Sequence, residues 1–328
     1  MGKLAAFVTF AMIAAADDKH IGTIDFYGYG SLDLQQLQTV LPFHVGDPLP
    51  SRAARSSAEA ALAKEAGRSR ASISLLCCLE DGRYGLYAGL EEPGAGPVFY
   101  ARPKGDGRLP PEIVQLNADR DRLGSEATRM GQAEEDDSQG YALSKYPPFR
   151  ALQLRLREYA RTHTFDLIRV LESSGDDRQR AMAAQTLGYA DESKEQIAAM
   201  VHASLDPNED VRNNAIRALG VLAEFDRKVL SQVPLKPYVA LMHSLEWRDR
   251  NKTSVLVESF TRSRDPVLLK ALRQEMLAPL VEMARWHSPG HAMTAIEALG
   301  RIAGMSEDQI DVVTTTHDVS SILAALNH

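Results

Sequence analysis

Three segments of the chain end a helical pattern on the same dipeptide: "RAMAAQTLG" at Leu187-Gly188, "VRNNAIRALG" at Leu219-Gly220 and "HAMTAIEALG" at Leu299-Gly300. Gly188 and Gly220 lie 32 residues apart and Gly220 and Gly300 lie 80 apart, two periods of 40 that leave room for a degraded copy at "RNKTSVLVESF". Periods of this length mark helical pairs that cannot bury their apolar stripes alone and must stack. Each copy follows another helical pattern: "FDLIRVLESS", "SKEQIAAMVHASL", "KPYVALMHSLEW" and "LLKALRQEMLAPLVEMARW". In the clearest unit, Leu205 to Gly220, Asp206-Pro207 breaks the first helix and Asp210 is in place to cap the second. Val211, Ala215, Ala218, Leu219 and Leu222 then share its inward face.

The pattern D-P-x-x-x-V-R-x-x-A-x-x-A-L-G, carried by Asp206, Pro207, Val211, Arg212, Ala215, Ala218, Leu219 and Gly220, resembles HEAT repeats in the short form similar to phycobilisome-lyase repeats. The resemblance implies an all-α solenoid over residues 148–328. Residues 148–162 form its entry cap and "SEDQIDVV" and "HDVSSILAALNH" its closing helices.

The first half has another grammar. "IGTIDFYG" alternates like a strand, Gly28 and Gly30 turn the chain, and Ser31 or Asp33 caps a helix bearing Leu34, Leu37, Val40 and Leu41. A second helix is predicted from about Ser57, with Ala58, Ala61, Leu62 and Ala66 inward and Gly67 as its stop. Asp81-Gly82 joins two strands, Ser72 to Leu79 and Tyr84 to Leu90, as a hairpin. Gly28 and Gly30 lack the third glycine of a dinucleotide fingerprint and are followed by Asp33, a poor neighbour for a pyrophosphate. They are expected to serve chain reversal. The order strand, helix, helix, strand, strand, with the "GDPL" loop at Gly46, Asp47 and Leu49 and the end "LYAGLEE", resembles a POTRA domain, a periplasmic module of outer-membrane assembly and secretion proteins. The fold class is therefore multidomain: a small α+β POTRA-like module (β-α-α-β-β) over 17–92, an irregular linker over 93–147, and the HEAT-like solenoid. In the linker, "VFYARP" is a candidate short strand and "PPEIVQL" a short helix or extended segment.

Residues 1–16 have one Lys, an apolar run from Leu4 to Ala16 and then small residues and charge, the plan of a secretory signal peptide. Export to a periplasm or the exterior is the expectation. The run is shorter than the ~20 apolar residues of a membrane span, so no membrane span is expected after signal cleavage. The two cysteines, Cys77 and Cys78, should project to opposite sides of a strand as buried thiols, with no redox role. Acidic residues outnumber basic ones, 44 to 37, for a net charge of −7, which gives no overall attraction to nucleic acid.

No nucleophile elbow, phosphate loop or C-x-x-C occurs, and Pro289-Gly290 interrupts the spacing of His287 and His291. Neither catalysis, a metal, a cofactor nor a small-molecule ligand is expected. The expected function is an exported, non-catalytic scaffold or adaptor. Its helical array grips a protein partner, and the edge of the small sheet accepts an extended strand. Outward positions of the second helices supply the candidate contact residues Arg180, Asn213, Arg217, Glu297 and Arg301, with Trp247 and Trp286, at the ends of successive first helices, as aromatic anchors. The alternative is an envelope enzyme or small-ligand sensor with a groove between the two modules.

Overall fold

The computed structural model describes residues 19–77, 79, 81–132 and 134–326. The expected signal segment 1–16 and Cys78 lie outside the described residues. The chain is mostly helical with one small sheet near its N-terminal end. The first strand, β1 (Ile21–Tyr27), leads through the glycine turn to α1 (Leu34–Val40), capped by Asp33, and α2 (Arg52–Glu65), capped by Ser51. α2 thus begins five residues before Ser57, because Ser51 supplies the cap, and Ala63 rather than Ala61 is buried on it. The hairpin β2 (Ala71–Leu76) and β3 (Tyr84–Leu90) turns at Gly82, whose φ of 82° only glycine adopts readily. The sheet order is β1-β3-β2, with β1 parallel and β2 antiparallel to the central β3.

Both faces of this sheet are covered. Ile21, Phe26, Leu86, Ala88 and Leu90 pack with Leu37, Ala58 and Leu62 of the two helices. Tyr27 and Tyr87, on the opposite face, enter a core that belongs to the C-terminal helices. The alternation seen in β1 is therefore not between core and solvent: Asp25 and Tyr27 are as buried as Phe26. Room for Tyr27 comes from its partner in register, Gly89, where a Cβ would lie 2.3 Å from the tyrosine ring. Cys77 is exposed, which corrects the expectation of a buried thiol at that position.

Residues 93–147 are not an irregular linker. They contain α3 (Pro111–Arg129), a 19-residue helix, and the short pair β4 (Glu135–Asp136) and β5 (Leu143–Ser144). Leu109, Ile113, Leu116, Leu123, Tyr141 and Leu143 belong to the same core as the first repeats. Turn formers at both ends of α3 conceal it in the sequence.

The remaining helices stack in pairs after α4 (Pro147–Thr162). They are α5 (Thr164–Ser173) with α6 (Asp177–Leu187), α7 (Lys194–Ala203) with α8 (Glu209–Phe225), α9 (Leu235–Met242) with α10 (Trp247–Thr261), and α11 (Pro266–Ala284) with α12 (Pro289–Ile302), while α13 (Glu307–Thr316) and α14 (Ser320–Leu326) both pack on α12. The second members α6, α8, α10 and α12 contact one another in succession, the stacking required of a helical-repeat protein. The recurrent glycine marks where the following helix leans in. A Cβ on Gly188 would meet Ala218 Cβ at 3.2 Å, one on Gly220 would touch Val255 Cγ1 at 3.4 Å, and one on Gly300 would strike Ile310 Cγ1 at 2.5 Å. Asn208, not Asp210, caps α8, accepting from the backbone N–H groups of Asp210 and Val211.

The glycine turn after β1 fixes the sheet to this array. Gly28 and Gly30 both have positive φ, 71° and 55°, and their N–H groups converge on the Glu282 carboxylate of α11 at 2.6 and 2.8 Å. Successive N–H groups in such a turn form an anion cradle, and here the anion is the protein's own. Arg250 Nη1 lies 3.5 Å from the same carboxylate. The contact separates the roles of the two glycines. A Cβ on Gly28 would sit 2.1 Å from Leu90 O, whereas one on Gly30 meets nothing within 4 Å. Gly30→Ala is expected to cost about 1 kcal/mol, the left-handed penalty alone. Gly28→Ala should cost upwards of ~3 kcal/mol because the strand must also move. Urea denaturation of the two variants checks the difference, and equal losses would contradict this account of the turn.

Candidate functional site

A concavity of about 930 Å³ lies over the second helices. Its lining repeats from layer to layer. Asp176, Asn208 and Glu246 are the N-caps of α6, α8 and α10, so residues at the same distance from each cap occupy the same register. The second position of each helix supplies Arg178, Asp210 and Arg248, and the fifth supplies Ala181, Asn213 and Asn251. The sixth supplies Met182, Asn214 and Lys252. Asn117, Arg120 and Asp121 of α3 reach the groove from one side, and Leu76 and Cys77 at the end of β2 also line it. His291 and Trp247 complete it toward the last repeats.

Beneath this surface runs a buried arginine ladder. Arg180, Arg212 and Arg250 occupy the fourth position of α6, α8 and α10, and each donates back to the carbonyl six residues earlier: Ser174, Asp206 and Ser244, at 2.9, 2.8 and 2.7 Å. Each also reaches forward. Arg180 makes a bidentate pair with Asp206 at 2.8 and 2.9 Å, and Arg212 one with Asp249 at 2.9 and 2.9 Å. Arg250 meets Glu92 at 2.6 Å and Glu282. Planar guanidinium forks suit such paired carboxylates, and burial makes each rung dependent on its partner.

A strap formed by residues 92–109 crosses these rungs in the opposite direction to the array. Glu92 takes bonds from Arg250 and His243, Phe99 lies under the Arg212 guanidinium at 4.0 Å, and Tyr100 donates to Asp206 at 2.7 Å. Gly105 then exchanges backbone bonds with Ser173 and Gly175, and the Leu109 N–H donates to Gln179 at 2.7 Å. The "VFYARP" segment is thus an extended strap and not a strand.

The predicted contact residues divide accordingly. Asn213 and Arg217 line the groove. Arg217 is half-buried and ion-paired with Glu135 of β4. Trp247 lines the groove with one edge but is 7% exposed, and it begins α10 instead of ending α9. Arg180 is fully buried as a ladder rung, Arg301 is buried against Glu258 and Glu307, and Trp286 is 1% exposed. These three do not face outward. Trp286 stacks on Trp247 at 6.1 Å and meets Tyr27 and Tyr87 edge-on, while its Nε1 donates to Phe26 O, so the tryptophans weld sheet to array. Glu297 is half-buried, and burial together with Glu258 raises its pKa to about 7.

Signals for the missed groove residues were present. Asn251 and Lys252 immediately follow Arg250, as Asn213 and Asn214 follow Arg212, and aligning the arginines would have exposed the register.

Both outer strands of the sheet are engaged. Ile73 of β2 accepts from Arg55 and donates to Glu59, and Ile21 of β1 pairs with residues 46 and 47. On each outer strand these bonds occupy the edge groups of one residue, Ile73 on β2 and Ile21 on β1. The contact between sheet and array is filled by Tyr27, Tyr87, Trp247 and Trp286, and the concavity over the repeats extends to Leu76 and Cys77 at the end of β2. Among the described residues no group of three or more His, Cys, Asp or Glu is arranged to hold a metal. No helix among them is long and apolar enough to cross a membrane.

No family model matches the chain, and no curated protein matches it either. Solved structures similar to it include a computationally designed armadillo repeat protein for modular peptide recognition. That likeness is at 16% identity with a TM-score of 0.38, covering 65% of this chain and 90% of that one.

Two predictions follow from the ladder and its strap. Arg212→Met leaves Asp249 buried without its partner and should cost ~3–5 kcal/mol, whereas adding Asp249→Leu should recover at least half of that loss. Urea titration of the single and double variants measures the coupling. His243 is held above the ordinary imidazole value of 6.5 by its hydrogen bond to Glu92. A raised folded-state pKa contributes stability fully below the unfolded value and loses it as pH rises through the folded one. Stability should therefore decline above about pH 6.5, with a share of the slope from His287, raised by Asp25. His243→Gln should flatten that decline in denaturation curves collected from pH 6 to 9.

Proposed function

We propose that the protein is a non-catalytic scaffold that binds an extended segment of another protein in the groove over α6, α8 and α10. One observation carries this reading: amide and charged side chains recur at one register on successive layers, at a spacing set by the stacking itself. A folded small molecule has no such repeat, whereas an extended peptide presents a donor and an acceptor on every residue. The HEAT-like pattern around Arg212 and the POTRA-like order of the small sheet are the finer assignments. In this reading the sheet is a fixed cover on the array and not a separate strand acceptor. We further propose export, on the strength of the apolar run from Leu4 to Ala16.

Photocrosslinking tests the binding face. A benzophenone amino acid at Asn213 in the groove should yield a discrete adduct in the producing cell. The same probe at Phe165, which is 74% exposed on the first-helix side, should not. Equal yields from both positions, or adducts from neither, would remove the groove as the binding face. Export is checked separately by sequencing the mature N-terminus, expected near residue 17; an intact Met1 on cytosolic protein would overturn it.

A further inference from the structure

The groove has an electrostatic preference opposite to that of the whole chain. Its lining holds five basic side chains and three acidic ones, in a protein whose net charge is −7. Most of these charges are already matched. Arg248 pairs with Asp210 at 2.5 Å, Arg120 with Asp121 at 3.1 Å, Asp177 with Arg102 at 3.4 Å, and Arg217 with Glu135. Among the described residues, the two groove cations with no ion pair are Arg178 on α6 and Lys252 on α10. All three acids are paired. Unmet charge in the groove is therefore positive and sits at two points.

Those points are two layers apart. Packed helices lie roughly 10 Å from one another, so Arg178 and Lys252 are separated by about 20 Å. An extended chain rises ~3.3 Å per residue and covers that distance in about six residues. Asn213 lies on the layer between the two cations and Asn251 stands beside Lys252 on its own layer, both half-buried. The Asn251 amide makes no hydrogen bond among the described residues, so it is free to meet a peptide group with one donor and one acceptor.

We propose that the groove selects an extended acidic segment of a partner protein, with two carboxylates about six residues apart received by Arg178 and Lys252, and its main chain received by Asn213 on the middle layer and by Asn251 beside Lys252. This rests on the peptide-binding reading given above and adds its specificity. Lys252 suits the part. Burial, and then Arg217, lower its pKa to about 8, with Glu135 opposing and Arg248 adding to the fall. An incoming carboxylate offsets that repulsion, which a neutral or basic segment cannot do. His291, whose own pKa is lowered by burial and then by Lys252, adds no competing positive charge at neutral pH.

The test uses the full chain and labelled twelve-residue Gly/Ser peptides, read by fluorescence anisotropy at low and moderate salt. One peptide carries two Glu six residues apart, a second carries them two apart, and a third carries Gln at the six-residue spacing. The first should bind at least about 10-fold more tightly than the other two, with an advantage that shrinks as salt rises. Lys252→Gln and Arg178→Gln should each reduce it toward the Gln peptide, and Lys252→Arg should retain it. Equal affinity for Glu and Gln peptides, or for both Glu spacings, would overturn the acidic preference. If all three bind alike and lose affinity together in an Asn213→Ala, Asn251→Ala double variant, peptide binding stands and only this inference falls. If none binds, both fall.

Discussion

Arg250 is the point at which three parts of the molecule are made one. Its guanidinium is fully buried, bonds to its own loop at Ser244 and to Glu92 at the start of the strap, and lies 3.5 Å from the Glu282 carboxylate on the next first helix. It also lies 4.9 Å from the Tyr27 ring of the sheet. A buried cation with these neighbours is tolerated only while every one of them stays in place. Glu282 is in the same position: burial pushes its pKa up, and Arg250 with the two glycine N–H groups offsets that penalty. The small sheet is therefore held by a network of charge and aromatic packing, and removal of any member leaves another buried without compensation.

Part of this was visible in the amino-acid order. The stacked helices follow from the Leu-Gly period, and the glycines have a physical reason in the close approach of Ala218, Val255 and Ile310. The hairpin at Asp81-Gly82 and the capping of α1 by Asp33 depend on neighbouring residues alone and were legible for that reason. α3 was not, because prolines at its start and glycine, acids and serine after it resemble a linker, while its buried face is completed by distant repeats. Arg180 illustrates the commonest failure. A charged residue on a helix is ordinarily solvated, and its burial here depends on Asp206, 26 positions away, at an angle no local pattern encodes.

The groove was legible only in part for a related reason. Asn213 and Arg217 stood out beside the best-formed copy of the repeat, but Asn251 and Lys252 lie in the copy whose Val255 and Ser259 depart from it. Repeats diverge where the core tolerates substitution, and the register of the surface survives that divergence because the arginine ladder beneath it keeps the helices in phase. Trp247 and Trp286 turn inward because they sit where the array meets the sheet, and Tyr27 and Tyr87 cover them there.

The strap over residues 92–109 changes how the whole array must come apart. In an open stack each layer touches only its neighbours, so ends fray and unfolding proceeds one repeat at a time. Here a single continuous ribbon is laid across three layers, gripped at Glu92, Tyr100 and Gly105, and leads directly into the helix that buttresses the first of them. Loss of any middle layer would require the ribbon to lift, and lifting it would expose its grips on the others. A row of semi-independent modules thereby becomes one cooperative block, assembled more slowly because its closing contacts are distant along the chain.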